Sequence, residues 1–286
     1  MDDSLFDDLG AADALACEWI DRAVAWRRWA EPWAAQTRAA TSLIVDAARV
    51  TAGARVLDLA SGPGEPALTL ARLVGPHGHV VATDVAPSMV AACREQAVGC
   101  RLTNMTCRVA DAQDLPFACS SFDAVTCRFG IAHVPDYPRA LAEVRRVLKV
   151  GGRAAFVAWG PRAQNPHFTL VDEALAAYPA PSPAGSRGPG PFTFATKGAL
   201  HRVLLAAGFR HVDEEARQIT LSWPGSVDDY WQGRREMSAS TTALVGSLTV
   251  AERDRVGAAI SARLRAYERD GRVDVPAVVI VAMGIA

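Results

Sequence analysis

The sequence lacks anything that would take it into or through a membrane as a helix. No apolar run approaches the roughly 18 residues of a spanning segment. The longest apolar stretch, residues 275–286, has twelve residues and reads as a strand. The first ten residues, MDDSLFDDLG, are acidic and hold no apolar core of the signal-peptide kind. An excess of one charge is also missing: 30 Lys and Arg stand against 31 Asp and Glu, for a net charge of −1. With a pI near 6.6 and no dominant basic patch, nucleic acid is not the expected partner. The six cysteines, at 17, 93, 100, 107, 119 and 127, form no C-x-x-C pair and have no histidine at zinc-finger spacing. They read as reduced thiols of a cytoplasmic protein with no bound metal.

The chain of 286 residues is half apolar and is long enough for one large α/β domain with insertions. Residues 11–49 are Ala-rich and read as helix, with Trp19, Trp26, Trp29 and Trp33 at helical spacing and Pro32 as the expected break. From residue 54 the pattern changes: ARVLDLA, HVVATDV, MTCRVAD, FDAVTCRFG and RAAFVAWG read as strands. Between them, EPALTLARLV, PSMVAACREQAV and YPRALAEVRRVLK read as helices, the last ended by Gly151-Gly152. This alternation specifies a parallel, doubly wound sheet with helices on both faces. Residues 161–196 lose periodicity around YPAPSPAGSRGPGPF and read as an irregular loop. KGALHRVLLAAGF is then a helix, RHVDEEARQITLSW an edge strand, the next fifty residues mostly helix, and VDVPAVVIVAMGIA the last strand.

An open parallel sheet binds its ligand at the carboxyl ends of its strands. Four features fall there: the loop Ala60-Ser61-Gly62-Pro63-Gly64, then Asp84, then Asp111-Ala112, then Cys127-Arg128-Phe129-Gly130. Gly62, Gly64 and Ala67 fit the G-x-G-x-x-G/A turn of a dinucleotide site. Asp84, twenty residues after Gly64, offers two acceptor oxygens to the two hydroxyls of an adenosine ribose. Up to this point the spacing serves NAD and S-adenosylmethionine equally. Asp58 and Asp111 tip the balance, because three carboxylates around one pocket suit a cationic sulfonium better than a dianionic pyrophosphate.

VLDLASGPGE, VVATDVAPSMV, VADAQDLPF, SFDAVTCRFGIAHVPD and LAEVRRVLKVGGRAAFVAW resemble, in order and spacing, the successive motifs of class I S-adenosylmethionine-dependent methyltransferases. The branch they are most similar to includes the ubiquinone/menaquinone C-methyltransferases (methyltransferase type 11). The resemblance is strong over residues 50–160 and weak over 197–222. It implies a Rossmann-like, doubly wound seven-stranded sheet whose last strand is reversed, with S-adenosylmethionine as cofactor and S-adenosylhomocysteine as product. It also implies that Ala60, Ser61, Gly62 and Gly64 contact the methionine part and that Asp84 holds the ribose. Val85 and Met89 would flank the adenine, Asp111 and Ala112 would read its edge, and the Cys127 carbonyl and the region of Arg128 would meet the amino group. Ala60 replaces the usual first glycine, a change the backbone accepts if it stays at negative φ. Residues 1–50 become a helical lid, 51–160 and 197–222 the core, 161–196 and 223–272 insertions around the acceptor, and 273–286 the reversed strand.

Methyl transfer needs positioning, exclusion of water and, for some acceptors, a base. No acidic cluster beyond the cofactor set resembles the magnesium site of catechol-type enzymes. His133 in GIAHVPD is the base candidate. Trp33, Trp159, His167, Tyr230, Trp231 and Arg235 are the acceptor-side candidates, with Arg234 beside them; a helix packing its aromatics is the competing reading of the last group. The expectation is a cytoplasmic methyltransferase, monomer or homodimer, acting on O or C of a small hydrophobic or aromatic acceptor in bacterial secondary metabolism and natural product biosynthesis. Two alternatives stay open: a protein of this fold that binds the cofactor without methylating, as a cyclase or a binding module, and a NAD-dependent oxidoreductase.

Overall fold

The computed structural model describes residues 19, 20, 22–178 and 189–286. The acidic start, Cys17, the first part of the expected N-terminal helix and the centre of the Pro/Gly loop lie outside the described residues.

From Ala23 the described chain runs through three consecutive helices, α1 (Ala23–Arg28), α2 (Ala30–Gln36) and α3 (Arg38–Ala48). The first break falls at Trp29, not at Pro32 itself. Pro32 has no N–H to give the Arg28 carbonyl, so the helix yields one turn earlier.

The core follows as β1 (Arg55–Leu59), α4 (Ala67–Val74), β2 (His79–Asp84), α5 (Pro87–Gly99), β3 (Met105–Val109) and β4 (Phe122–Arg128). Next come α6 (Tyr137–Val147), β5 (Leu148–Trp159), α7 (Pro166–Leu175), α8 (Ala199–Ala206) and β6 (Arg210–Pro224). The chain closes with α9 (Val227–Met237), α10 (Ala239–Ser247), α11 (Val250–Leu264), β7 (Glu268–Arg269) and β8 (Arg272–Ile285). The sheet order is β3-β2-β1-β4-β5-β8-β6. Strands β1 to β5 run parallel, and β8 lies antiparallel between β5 and β6. This is the doubly wound sheet with a reversed last strand. The short β7 pairs with β8 and brings the strands to eight.

Alternation along the central strands feeds two apolar layers. Val56 packs on one face with Ile44 of α3 and Leu70 of α4, while Leu57 and Leu59 pack on the other with Leu141 of α6 and Leu204 of α8. One expected boundary moves. Helix α6 ends at Val147, before Gly151-Gly152. Leu148 already pairs with Phe122, and the register then slips so that Arg153 pairs with Ala124. The glycines occupy that slip, Gly151 at φ 78°.

The helices after β6 pack against the N-terminal ones. Gly233 permits this: a Cβ there would lie 2.6 Å from the Trp223 ring and 3.3 Å from Trp29. The Trp29 indole N–H donates to Glu236 at 2.7 Å, which joins α9 to the first break in the N-terminal helices. Among the described residues no helix is long and apolar enough to cross a membrane.

Candidate functional site

The loop after β1 is held to the end of β2. Ser61 donates its N–H to the Thr83 carbonyl at 2.9 Å, and the Gly62 N–H donates to the Asp84 carboxylate at 2.9 Å. Gly62 and Gly64 take φ of 53° and 134°, where a side chain is strained. Ala60 corrects the sequence expectation: its φ is +50°, not negative. The chain turns left-handed as soon as β1 ends, which costs a residue with a Cβ about 1–2 kcal/mol. The methyl has room because the facing residue is Gly130, where a Cβ would lie 2.3 Å from the Ala60 Cβ.

Three ionisable groups lie under or beside this loop. Asp84 accepts from Gly62 and, through its other oxygen, from the Ala86 N–H at 3.0 Å. Burial pushes its carboxyl up to about 6, against the pull of those backbone donors. Asp58 on β1 is fully buried; its Oδ1 accepts from the Thr126 hydroxyl at 2.6 Å and its Oδ2 has no partner. Burial pushes it up to about 7, with Thr126 and Arg128 opposing. Arg128, the third group, is buried at the end of β4. Its guanidinium reaches back to α2 and α3, donating to the Thr37 and Thr41 hydroxyls at 2.7 Å and to the Glu65 carbonyl at 3.1 Å. Successive strand residues face opposite layers, so Arg128 points to the α3 side while Cys127 is buried in the α6 side.

On the β2 and β3 side, Val85 is half-buried, and Ala86 and Met89 are buried beneath Ala23, Trp19 and Trp26. The Asp111 carboxylate accepts from the Gln113 backbone and side-chain amide at 2.9–3.0 Å, beside half-buried Ala112. His133 sits on the turn Gly130–His133 after β4, its ring 5.4 Å from Trp19 and almost perpendicular to it.

The residues present fit an amino-acid-bearing nucleoside. Four buried polar atoms near the strand ends and the facing helices lack partners: Asp58 Oδ2, Arg128 Nε, Ser88 Oγ and Trp26 Nε1. Native interiors seldom leave such groups unpaired, so their concentration here points to a polar guest.

The acceptor-side candidates separate into two groups. Trp33 of α2, Trp159 at the end of β5, His167 of α7 and Tyr230 of α9 converge. Phe129 and Phe168 join them; the sequence placed Phe129 at the strand-end edge but neither residue on the acceptor side. Trp159 stacks on Phe129 at 4.3 Å and 9°, and lies nearly parallel to His167 at 5.8 Å and 11°. Trp33 tilts against Phe129 and His167 at 6.4 and 6.2 Å. The His167 Nδ1 and Tyr230 Oη are 2.6 Å apart and buried. Buried Asn165 sets this position: its amide donates to the Gly160 and Pro161 carbonyls and its Oδ1 accepts from the Val278 N–H. Trp231 faces Gly257 of α11 instead. It is Arg234, not Arg235, that approaches the ring cluster, with Nε 3.4 Å from the His167 carbonyl and its guanidinium 5.1 Å from Phe168. One helical position decides between the two arginines, and α9's placement against α7 selects the earlier one. Phe129 had a usable signal, since it directly follows a strand end.

A strand-end cradle with a carboxylate twenty residues behind it is the cofactor end of a nucleoside-binding α/β domain. Residues 56–152 match a protein family described as methyltransferase domain. The same segment is similar to class I S-adenosylmethionine-dependent methyltransferase domains of the branch that includes the ubiquinone/menaquinone C-methyltransferases. A demethylmenaquinone methyltransferase of Listeria monocytogenes is 39% identical over 109 residues, which are 38% of this chain and 46% of that protein. The ubiquinone/menaquinone biosynthesis C-methyltransferase UbiE of Teredinibacter turnerae is 38% identical over 135 residues, 47% of this chain and 53% of that protein. The chain thus spans about half the length of the curated relatives it matches. Among solved structures, the YcgJ protein of Bacillus subtilis shares the fold with a TM-score of 0.55 at 20% identity, covering 87% of this chain and 98% of that one. The [4+2]-cyclase SpnF shares it with a TM-score of 0.52 at 21% identity, covering 86% and 79%.

Proposed function

We propose that the chain transfers a methyl group from S-adenosylmethionine to O or C of a small hydrophobic or aromatic acceptor, in bacterial secondary metabolism. The observation that carries this reading is the Gly62–Asp84 contact, which holds the Gly-rich turn and the ribose-binding carboxylate as one unit at the strand ends. Gly62 and Gly64 bring bare backbone to the methionine part, and Asp84 keeps lone pairs for two hydroxyls. Val85, Met89, Asp111 and Ala112 take the adenine. The unpartnered Arg128 Nε suits the carboxylate of the amino-acid end better than its ammonium. When bound, the cofactor supplies a methyl group on a sulfonium leaving group. The ring cluster of Trp33, Phe129, Trp159 and Phe168 keeps water from the acceptor and orients a flat one. His133, against Trp19, shapes the cofactor side of the entrance.

Calorimetric titration with S-adenosylmethionine, S-adenosylhomocysteine and NAD, repeated on Asp84→Ala, tests the reading. Micromolar binding of both sulfur compounds, lost in the variant, supports it; binding of NAD alone overturns it. A cofactor-binding protein that does not methylate is the second reading, favoured by the strained Ala60 in place of a glycine. It predicts the same binding with no S-adenosylhomocysteine released from any acceptor.

A further inference from the structure

Cys93 of α5 and Cys107 of β3 place their sulfurs 3.3 Å apart. Fourteen residues separate them in sequence, so no C-x-x-C spacing announces the pair. We propose that they form a two-thiol oxidation site for hydroperoxides, in which Cys107 reacts first, Cys93 closes a disulfide onto it, and the closure loosens the Gly-rich loop beside Cys93. The inference goes beyond the methyltransferase reading, and its chemistry needs no cofactor.

Position separates the two roles. β3 is the edge strand of the sheet, and Cys107 is half-buried on it, within reach of a small oxidant. Cys93 is fully buried, so it meets only what Cys107 carries to it. Charge separates them further. Arg94 reaches across from α5, its guanidinium donating to the Cys107 carbonyl at 3.2 Å. The bond to Cys93 and the Arg94 charge hold the Cys107 thiol below its usual range, against burial. The thiolate is the form that attacks a peroxide. The Cys93 thiol is pushed up by the bond to Cys107, by burial and by Asp58 facing it from β1, with the Ser61 hydroxyl opposing. The proton shared by the two sulfurs therefore stays on Cys93. The other described cysteines are placed differently. Cys127 is buried in the opposite apolar layer, and Cys100 and Cys119 are exposed beside Arg72 and Arg146.

The Cys107 thiolate attacks one oxygen of the hydroperoxide. The O–O bond breaks, an S–O bond forms, and the departing alkoxide or hydroxide takes a proton from water. Cys93 then attacks the Cys107 sulfur. The S–O bond breaks, the disulfide forms, and the Cys93 proton leaves with the hydroxide as water. The two thiols lose two electrons and the hydroperoxide gains them. A small dithiol reverses the change by exchange.

A direct contact links the pair to the loop. A Cβ on Gly64 would lie 3.8 Å from the Cys93 sulfur, and the Ser61 hydroxyl borders the same thiol. A disulfide needs about 2.05 Å between its sulfurs, so the pair must close by roughly one ångström. Cys107 is held by the ladder that pairs it with Ala82 of β2. The Cys93 side chain therefore moves, away from Gly64 and Ser61, and the loop loses the group packed against it.

The test treats the full chain with hydrogen peroxide as wild type, Cys93→Ser and Cys107→Ser. Trypsin cuts after Arg72, Arg94, Arg101 and Arg108, which puts Cys93, Cys100 and Cys107 on separate peptides. Wild type should give residues 73–94 cross-linked to residues 102–108. Dithiothreitol should remove that product, and both variants should lack it. Dimedone, which traps sulfenic acids, should label Cys107 in Cys93→Ser but not Cys93 in Cys107→Ser. In oxidised wild type, amide hydrogen exchange at residues 61–68 should rise about fivefold and return with dithiothreitol. The same sample should bind S-adenosylhomocysteine about fivefold more weakly. A missing cross-link, a link to Cys100, or dimedone on Cys93 overturns the proposal. So does unchanged exchange once the disulfide is in place. Faster exchange in a protein whose reduced form binds no S-adenosylhomocysteine would uphold the thiol pair and overturn the cofactor reading instead.

Discussion

Ala60 and Gly130 share a space that admits only one methyl group: a Cβ on Gly130 would fall 2.3 Å from the Ala60 Cβ. The first residue after β1 can therefore be alanine at φ +50° only because the residue facing it across the strand ends has no side chain.

Gly130→Ala should destabilise the protein by about 1–3 kcal/mol, the usual cost of overpacking, and weaken S-adenosylhomocysteine binding. Ala60→Gly should be within about 1 kcal/mol of wild type, since it relieves left-handed strain while loosening the unfolded chain. The double variant should recover most of the Gly130→Ala loss. Urea unfolding of the four proteins reads the coupling; simple additivity would show that the two residues do not share this space.

Cofactor affinity should fall as pH drops through about 6, where the Asp84 carboxyl gains its proton. The protonated form loses acceptor capacity toward ribose hydroxyls. Calorimetry with S-adenosylhomocysteine from pH 5 to 8 should show this in wild type and a weaker, nearly flat profile in Asp84→Asn. A flat wild-type profile would place the ribose elsewhere.

Asp58 makes stability depend on pH in a stated direction. Its folded pKa of about 7 lies above the ordinary 3.8, so the folded state binds the proton more tightly than the unfolded chain. That contribution is complete below about pH 4 and is lost as pH rises through about 7. Asp84 acts in the same direction. Melting temperature should therefore decline between pH 5.5 and 8, and Asp58→Asn should shrink the decline by a few degrees. An identical slope in both proteins would contradict the burial of Asp58 as a charged-state penalty.

Gly233→Ala should push α9 away from Trp29 and Trp223, because its Cβ would sit 2.6 Å from the Trp223 ring. We expect a loss of about 1–3 kcal/mol and faster proteolytic cleavage within residues 22–50. Unchanged cleavage would mean that the N-terminal helices are held without α9.

The α/β core was legible because strand and helix periods differ and alternate. VLDLA, VVATD and FDAVTC are short apolar runs, and the helices between them carry apolar stripes. The candidate cofactor residues were legible as a group because they lie at strand ends in chain order. Other features were not. The backbone sign at Ala60 depends on Gly130, seventy residues away. The choice of Arg234 over Arg235, and the turning of Trp231 toward Gly257, depend on the rotation of α9 against α7, which no local pattern encodes. The end of α6 was misplaced because Gly151-Gly152 reads as a helix stop; it lies instead in the register slip at the start of β5.

By itself, then, the sequence determined the parallel sheet, its direction of winding, and the order of groups along the carboxyl edge, since these follow from local periodicity and chain order. Only the tertiary structure decided that Trp33, Trp159, His167 and Tyr230 share one packed ring cluster. They come from α2, β5, α7 and α9, and side chains so distant in sequence meet only where the packing of whole helices on the sheet brings them together.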